Sequence, residues 1–148
     1  GALIVIERNV SMGDIVSASG VTVDAVISSQ LLINIFEDKT PLHDGAVIIR
    51  DNRVAAASCI LPVTQSEIGQ ELGTRHRAAV GASEVSDAFI IVVSEETGKI
   101  SIARDGKLEK AVSEAVFRQE LLNLCEKTTP AGAKAINKIW KGMSRHDK

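Results

Sequence analysis

Aromatic side chains are scarce in this chain: one tryptophan, three phenylalanines and no tyrosine, or 3% of the sequence. A core must therefore be built from Ile, Val, Leu and Ala. Cysteine is nearly absent as well. Cys59 and Cys125 lie in unrelated stretches, AAASCIL and ELLNLC, with no CxxC spacing. Two such thiols fit a reduced, cytoplasmic protein better than a disulfide framework. No apolar run approaches the roughly 20 residues of a membrane-spanning helix, and no signal peptide is recognisable. An excess of positive charge is missing too. The formal net charge is -2, which argues against a duplex-binding surface, so any anion site must be local. There is no Walker A loop and no zinc-spaced Cys/His pair, and Ser58 and Ser94 have no evident histidine partner for a triad. Internal repeats and low-complexity segments are also lacking.

What is present is globular composition, 45% hydrophobic and 24% charged, in 148 residues, the length of one ordinary domain. The chain opens directly on an apolar run, ALIVI at residues 2–6, read as a strand buried on both faces. Gly1 is accordingly expected to be the cut end of a longer protein. Residues 9–23 are polar and Gly-spotted and are read as a loop with at most one short turn. Ser28 or Ser29 is expected to cap a helix through QLLINIFE, with Leu31, Leu32, Ile35 and Phe36 on one face and Lys39-Thr40-Pro41 as its stop. AVIIRDNRVAAASCIL predicts a β-hairpin turning at Asp51-Asn52, and residues 63–72 a polar loop. Thr74 is expected to cap a helix running to about Ser83 or Val85. AFIIVVS (88–94) reads as a buried strand, with turns at 96–99 and at Asp105-Gly106 around ISIAR. Residues 110–126 carry a helical stripe, and AINKIWKGM suggests a short amphipathic turn with Ile136, Ile139 and Trp140 inward. Helices alternate with strands and one hairpin intervenes, so the expected class is α/β with a mixed parallel/antiparallel central sheet flanked by helices.

Four stretches carry more polar chemistry than their positions require. In GTRHRAAVG, Arg75, His76 and Arg77 crowd the first turn of a helix, where the macrodipole is already positive. A glycine, a threonine hydroxyl, free helix N–H groups and two guanidinium groups together suit phosphate oxygens; pairing of the arginines to Glu71 or Glu84 is the plainer alternative. In TPLHDGAVI, His43 and Asp44 offer a nitrogen and oxygens to a divalent ion and Gly45 permits close backbone approach. On the dipeptide alone, an ordinary Asp-Gly turn is the stronger reading. In VVSEETG, Glu95 and Glu96 directly follow a strand, where α/β sheets place ligand-contacting residues, and acidic turn residues in water explain them equally well. In CILPV, Leu61-Pro62 ends a strand and either faces a flat base or is core.

In this order the stretches resemble the diadenylate cyclase (DAC) domain family. DGA at 44–46 and RHR at 75–77 match its two signature motifs. GALIVIER, LLINIF, TPLHDGAVI, ELGTRHRAAVG, SEV and VSEETG are similar to membrane-anchored CdaA-type members rather than to the DNA-scanning DisA type. The resemblance covers residues 1 to about 125. It implies a catalytic domain at 1–126 with a truncated N-terminus, followed by a C-terminal tail at 127–148. The implied activity is that of a nucleotidyltransferase: two ATP molecules, one on each of two domains meeting face to face as a homodimer, condense to cyclic di-AMP with loss of two pyrophosphates.

By the same resemblance, Asp44 holds Mg²⁺ or Mn²⁺ and orients or deprotonates the 3′-hydroxyl, with His43, Glu95 and Glu96 as further metal ligands. Arg75, His76 and Arg77 grip the triphosphate with Thr74. Ser94 and Glu95 meet phosphate and metal. Leu61 reads the adenine edge through its backbone, and Gly45, Ala46 and Gly73 keep the backbone near the nucleotide. Ile60 departs from CdaA-type members, which often carry an aromatic residue there against the adenine, and the 63–72 loop is slightly shorter than theirs. The resemblance further implies the cytoplasmic side of the cell membrane, with a membrane regulator and phosphoglucosamine mutase as partners, while the acidic net charge argues against DNA as a partner. A catalytically silent sensor or scaffold that binds ATP or cyclic di-AMP is the alternative.

Overall fold

The computed structural model describes residues 1–69 and 72–125. The expected tail at 127–148, with its amphipathic turn, and Glu71 lie outside the described residues. Seven strands form one sheet: β1 (Ala2–Ile6), β2 (Val21–Val26), β3 (Ala46–Arg50), β4 (Arg53–Cys59), β5 (Phe89–Val93), β6 (Ile100–Arg104) and β7 (Lys107–Val112). Their spatial order is β2-β4-β3-β1-β5-β6-β7. β1 pairs parallel to β3 and antiparallel to β5, and the remaining neighbours are antiparallel. This is the mixed sheet expected from the sequence.

The period-2 alternation of strand side chains divides the core into two layers. Ala2, Ile4 and Ile6 of β1 share one face with Val47, Ile49, Phe89, Ile91 and Ile102. That face is covered by α2 (Ser29–Phe36) through Leu32, Ile35 and Phe36, and by α4 (Glu114–Cys125) through Phe117, Leu121 and Leu124. Leu3 and Val5 point the other way, with Ala46, Ile48, Ile90, Val92 and Ala103. There they meet α3 (Thr74–Glu84) through Ala78, Ala79 and Ala82, and α1 (Gly13–Ser19) through Ile15 and Val16. A chain with few aromatics fills both layers with β-branched and small residues. Truncating one of them, Ile4 for instance, would cost about 2–5 kcal/mol.

Local signals explain several boundaries. The Ser28 hydroxyl accepts the Leu31 N–H at 3.1 Å, so Ser28 rather than Ser29 is the N-cap of α2. Asp51 and Asn52 both have positive φ (50° and 63°), as a two-residue hairpin with the twist of its strands demands.

Three expectations are corrected. Residues 9–23 are not a loop: α1 and the start of β2 lie there. α1 is short and lacks a side-chain cap, and β2 is an edge strand with an exposed outer face, so neither carries strong apolar periodicity. The helix expected from residue 110 begins at Glu114, because Lys107–Val112 pairs with β6 as an edge strand that tertiary pairing selects over propensity. Thr74 is the first residue of α3 and not its cap; the N-cap is Gly73, which offers no side-chain acceptor.

Candidate active site

Strand direction gathers the polar stretches at one end of the sheet. β1 begins there at Ala2, and its partners place the β3 start and the β5 end at the same level, through Ile4↔Val47 and Ala2↔Val93. Ala46 pairs with Cys59, so β4 ends there too. The segments just outside these strand ends are His43-Asp44-Gly45, Ile60-Leu61 and Ser94-Glu95-Glu96. The N-terminus of α3 joins them, because Arg75 reaches Glu95, while the other end of α3 meets the β6–β7 turn through Ser83 and the Gly106 N–H.

Each segment is held by a definite local device. Gly45 has φ +93°, and a Cβ there would lie 2.9 Å from the Cys59 carbonyl oxygen, so only glycine lets the chain turn from Asp44 into β3 against β4. Ala46 follows, fully buried. Asp44 is exposed. The His43 Nδ1 sits 2.7 Å from the Thr40 carbonyl oxygen. A carbonyl can only accept, so Nδ1 donates, and in the neutral ring Nε2 is the nitrogen with the lone pair. Leu61 is core by its side chain, 4% exposed, which leaves only its backbone for a ligand, whereas Ile60 is 74% exposed. Ser94 closes the turn after β5: its N–H donates to Lys99, its carbonyl accepts from Gly98, and its hydroxyl accepts the Thr97 N–H. Glu95 and Glu96 stand exposed on that turn.

Successive residues of an α-helix are 100° apart, so Arg75, His76 and Arg77 enter three different surroundings. Arg75 turns to Ser94-Glu95, with Nη1 3.2 Å from Glu95 Oε2. Its Nε is buried and finds no acceptor among the described residues. His76 packs inward, and burial, with Arg75 and Lys110 nearby, pushes its pKa down from the ordinary histidine value. Arg77 donates to the Gly69 carbonyl at 3.2 Å. The Arg77 N–H makes the first backbone bond of the helix, to Gly73, so the N–H groups of Thr74, Arg75 and His76 lack intrahelical acceptors. A Cβ at Gly73 would meet nothing within 4 Å, and Thr74 is exposed, so this helix end is open to approach. Of the pairings considered for the arginines, Arg75 meets Glu95 rather than Glu84, and the one with Glu71 lies outside the described residues.

Among the described residues no group of three or more His, Cys, Asp or Glu side chains is close enough to hold a metal ion. The donors nevertheless suit a hard divalent ion bound in an open shell. Asp44 presents an exposed carboxylate and follows His43 in the chain, and such ions commonly take one or two protein carboxylates and complete their shell with substrate phosphates and water. The buried, unanswered Nε of Arg75 fits an anion on the same side.

One positioning residue escaped the sequence reading. Gly81 is buried inside α3, and a Cβ there would fall on the Pro62 carbonyl oxygen. The helix can thus lie on the 62–64 segment, where the Thr64 N–H donates to the Arg77 carbonyl at 3.1 Å. A glycine inside a helical run of small residues was the available signal.

Comparison with known proteins supplies the family. The chain is 53% identical over 122 residues to cyclic di-AMP synthase CdaA of Bacillus subtilis, covering 82% of this chain and 44% of that protein. It is 50% identical over 143 residues to a diadenylate cyclase of Listeria monocytogenes, covering 96% and 52%. It thus spans about half the length of these relatives. Among solved structures, a double mutant of DacA from Staphylococcus aureus superposes with a TM-score of 0.80 at 50% identity, over 82% of this chain and 81% of that one. Residues 1–108 match the family described as DisA bacterial checkpoint controller nucleotide-binding, DAC, and the chain belongs to that family.

Proposed function

We propose that this chain is the catalytic domain of a diadenylate cyclase, which condenses two ATP into cyclic di-AMP and two pyrophosphates. The observation that carries the reading is the convergence of Asp44, the Leu61 backbone, the α3 N-terminus and Glu95 at one end of the sheet, although they are spread over some fifty residues of sequence. In each half-reaction a 3′-hydroxyl oxygen bonds to the α-phosphorus of the other ATP, and the bond from that phosphorus to the bridging oxygen breaks. Pyrophosphate leaves and the hydroxyl proton is lost. The reaction asks for positioning and charge neutralisation rather than a covalent intermediate.

The residues divide this work. The N–H groups at the start of α3 and the Arg75 guanidinium, with its free Nε, take phosphate oxygens. His76, kept neutral by burial, supports the helix turn from inside. Arg77 ties that turn to Gly69, and in this reading moves to phosphate only if that bond opens. Leu61 reads the adenine edge with its backbone, beside an aliphatic Ile60. Asp44 orients the 3′-hydroxyl and accepts its proton. Asp44 and His43 would hold Mg²⁺ or Mn²⁺, with Glu95 and Glu96 joining from the opposite turn only when that turn draws nearer, and the ion would supply neutralisation of charge on the triphosphate.

One chain presents one such end, so two must face each other for both bonds to form. Specific activity should accordingly rise with protein concentration, and activity flat on dilution of a monomer would refute the face-to-face arrangement. In this reading the domain works at the cytoplasmic side of a membrane, which similarity to CdaA-type members supports; no described helix is long and apolar enough to cross one. A membrane regulator and phosphoglucosamine mutase are the partners this reading carries.

The test is to incubate the protein with ATP and Mn²⁺ or Mg²⁺ and separate products by ion-pair chromatography with mass detection. Cyclic di-AMP with two pyrophosphates per product is expected. ATP binding without product at high protein concentration would make the domain a silent binder.

A further inference from the structure

The segment that faces the base is held from outside the motifs. β4 ends at Cys59, whose ladder partner is Ala46, so Ile60 lies past the last paired residue. Its backbone N–H donates instead to the Ser19 hydroxyl, at 2.9 Å. That hydroxyl in turn donates to the Ile15 carbonyl, one turn back in α1, at 3.1 Å. Both roles of the hydroxyl are thus used, and the bond to Ile15 fixes the direction in which its oxygen accepts. The next residue shows that this approach is close. A Cβ at Gly20 would lie 2.6 Å from the Cys59 sulfur and 3.1 Å from the Val16 carbonyl oxygen, so a side chain there would push α1 off the end of β4. Helix α1 buries no residue of its own completely, which makes this seat one of the few points that fix it.

We infer that Ser19 is a positioning residue for nucleotide recognition: through the Ile60 N–H it sets the backbone of Ile60-Leu61, and so the fit of the adenine edge. The inference rests on the proposed reading of Leu61 as the base-contacting segment. Ile60 has no aromatic ring to stack on the base, so backbone placement carries a larger share of base selection here. Loss of one such hydrogen bond corresponds to roughly a two- to tenfold loss of affinity.

The experiment uses the whole protein and its Ser19→Ala, Ser19→Thr and Ser19→Cys variants, with folding checked by thermal melting. Calorimetry with ATP and with GTP gives affinity and base preference, and steady-state turnover gives KM and kcat. Amide exchange at Ile60 reads the hydrogen bond itself. Ser19→Ala should expose the Ile60 amide to exchange, weaken ATP roughly two- to tenfold, narrow the ATP-over-GTP preference and raise KM with kcat nearly unchanged. Ser19→Thr should restore all four, and Ser19→Cys, a weaker acceptor of similar size, should fall between and serves if the alanine variant does not fold. A wild-type protein that does not prefer ATP over GTP overturns the nucleotide reading. A wild type that prefers ATP, with variants that keep the same preference and the same Ile60 protection, overturns the role of Ser19 alone.

Discussion

Replacing Glu95 with glutamine should make the protein bind ATP more tightly when no metal is present. Arg75 and Glu95 satisfy each other at 3.2 Å, with side chains 22% and 69% exposed. A triphosphate that takes Nη1 as well as the free Nε displaces that carboxylate. A partly exposed pair of this kind is worth about 0.2–1 kcal/mol, which corresponds to a factor of about 1.4–5 in affinity. The neutral amide also removes a negative charge close to the incoming phosphates, an effect of the same sign. Titration of ATP in the presence of a chelator should therefore give a dissociation constant about 1.5- to 5-fold lower for Glu95→Gln than for the wild type. The gain should shrink as salt is raised from 0.05 M to 0.5 M, since the Debye length falls from more than about 10 Å to only a few. With Mg²⁺ or Mn²⁺ added, the order should reverse, because the variant lacks a metal-holding carboxylate. Equal or weaker metal-free binding by the variant would refute the assignment of Arg75 to phosphate.

Three other outcomes follow from the same structure. Asp44→Asn should abolish cyclic di-AMP synthesis while leaving the thermal melt unchanged, as Asp44 is exposed and supports no packing; unchanged turnover would sink its role at the metal and the 3′-hydroxyl. Glycine to alanine inside a helix normally stabilises by about 1 kcal/mol, but Gly81→Ala drives a methyl into the Pro62 carbonyl and should destabilise by about 1–3 kcal/mol. In urea unfolding Gly73→Ala is the steric control, since its methyl meets nothing and only the N-cap preference is lost, and a more stable Gly81→Ala would refute the contact. Buried His76 resists protonation, so below about pH 6.5 the unfolded chain takes up a proton that the folded one refuses. Stability should fall as pH drops from 7.5 to 5.5, by at most about 1.4 kcal/mol per pH unit from this group, and His76→Gln should flatten the slope. Parallel curves for the two proteins would show that His76 is not the cause.

The sites read from the sequence were legible where one residue type answers a local demand. Gly45 before a strand, the Asp51-Asn52 turn and the Ser28 cap are of that kind, and the structure bears each out. α1, β2 and β7 were missed because their apolar periodicity is weak: they are a short helix and two edge strands, formed by what they pair with or pack on. The motif RHR suggested three side chains acting on one ligand. Helix geometry instead sends one to Glu95, one into the core and one to Gly69.

By itself, then, the sequence determined the class of fold, the buried strands and the chemistry available: carboxylates, guanidinium groups and flexible turns at strand ends. Those follow from periodicity and from residue types whose physics acts over a few neighbours. Tertiary structure alone decided which strand ends lie at the same level, that Arg75 meets Glu95 across twenty residues, and that α1 holds Ile60 through Ser19. These depend on the register and direction of strands distant in sequence, which no local pattern encodes.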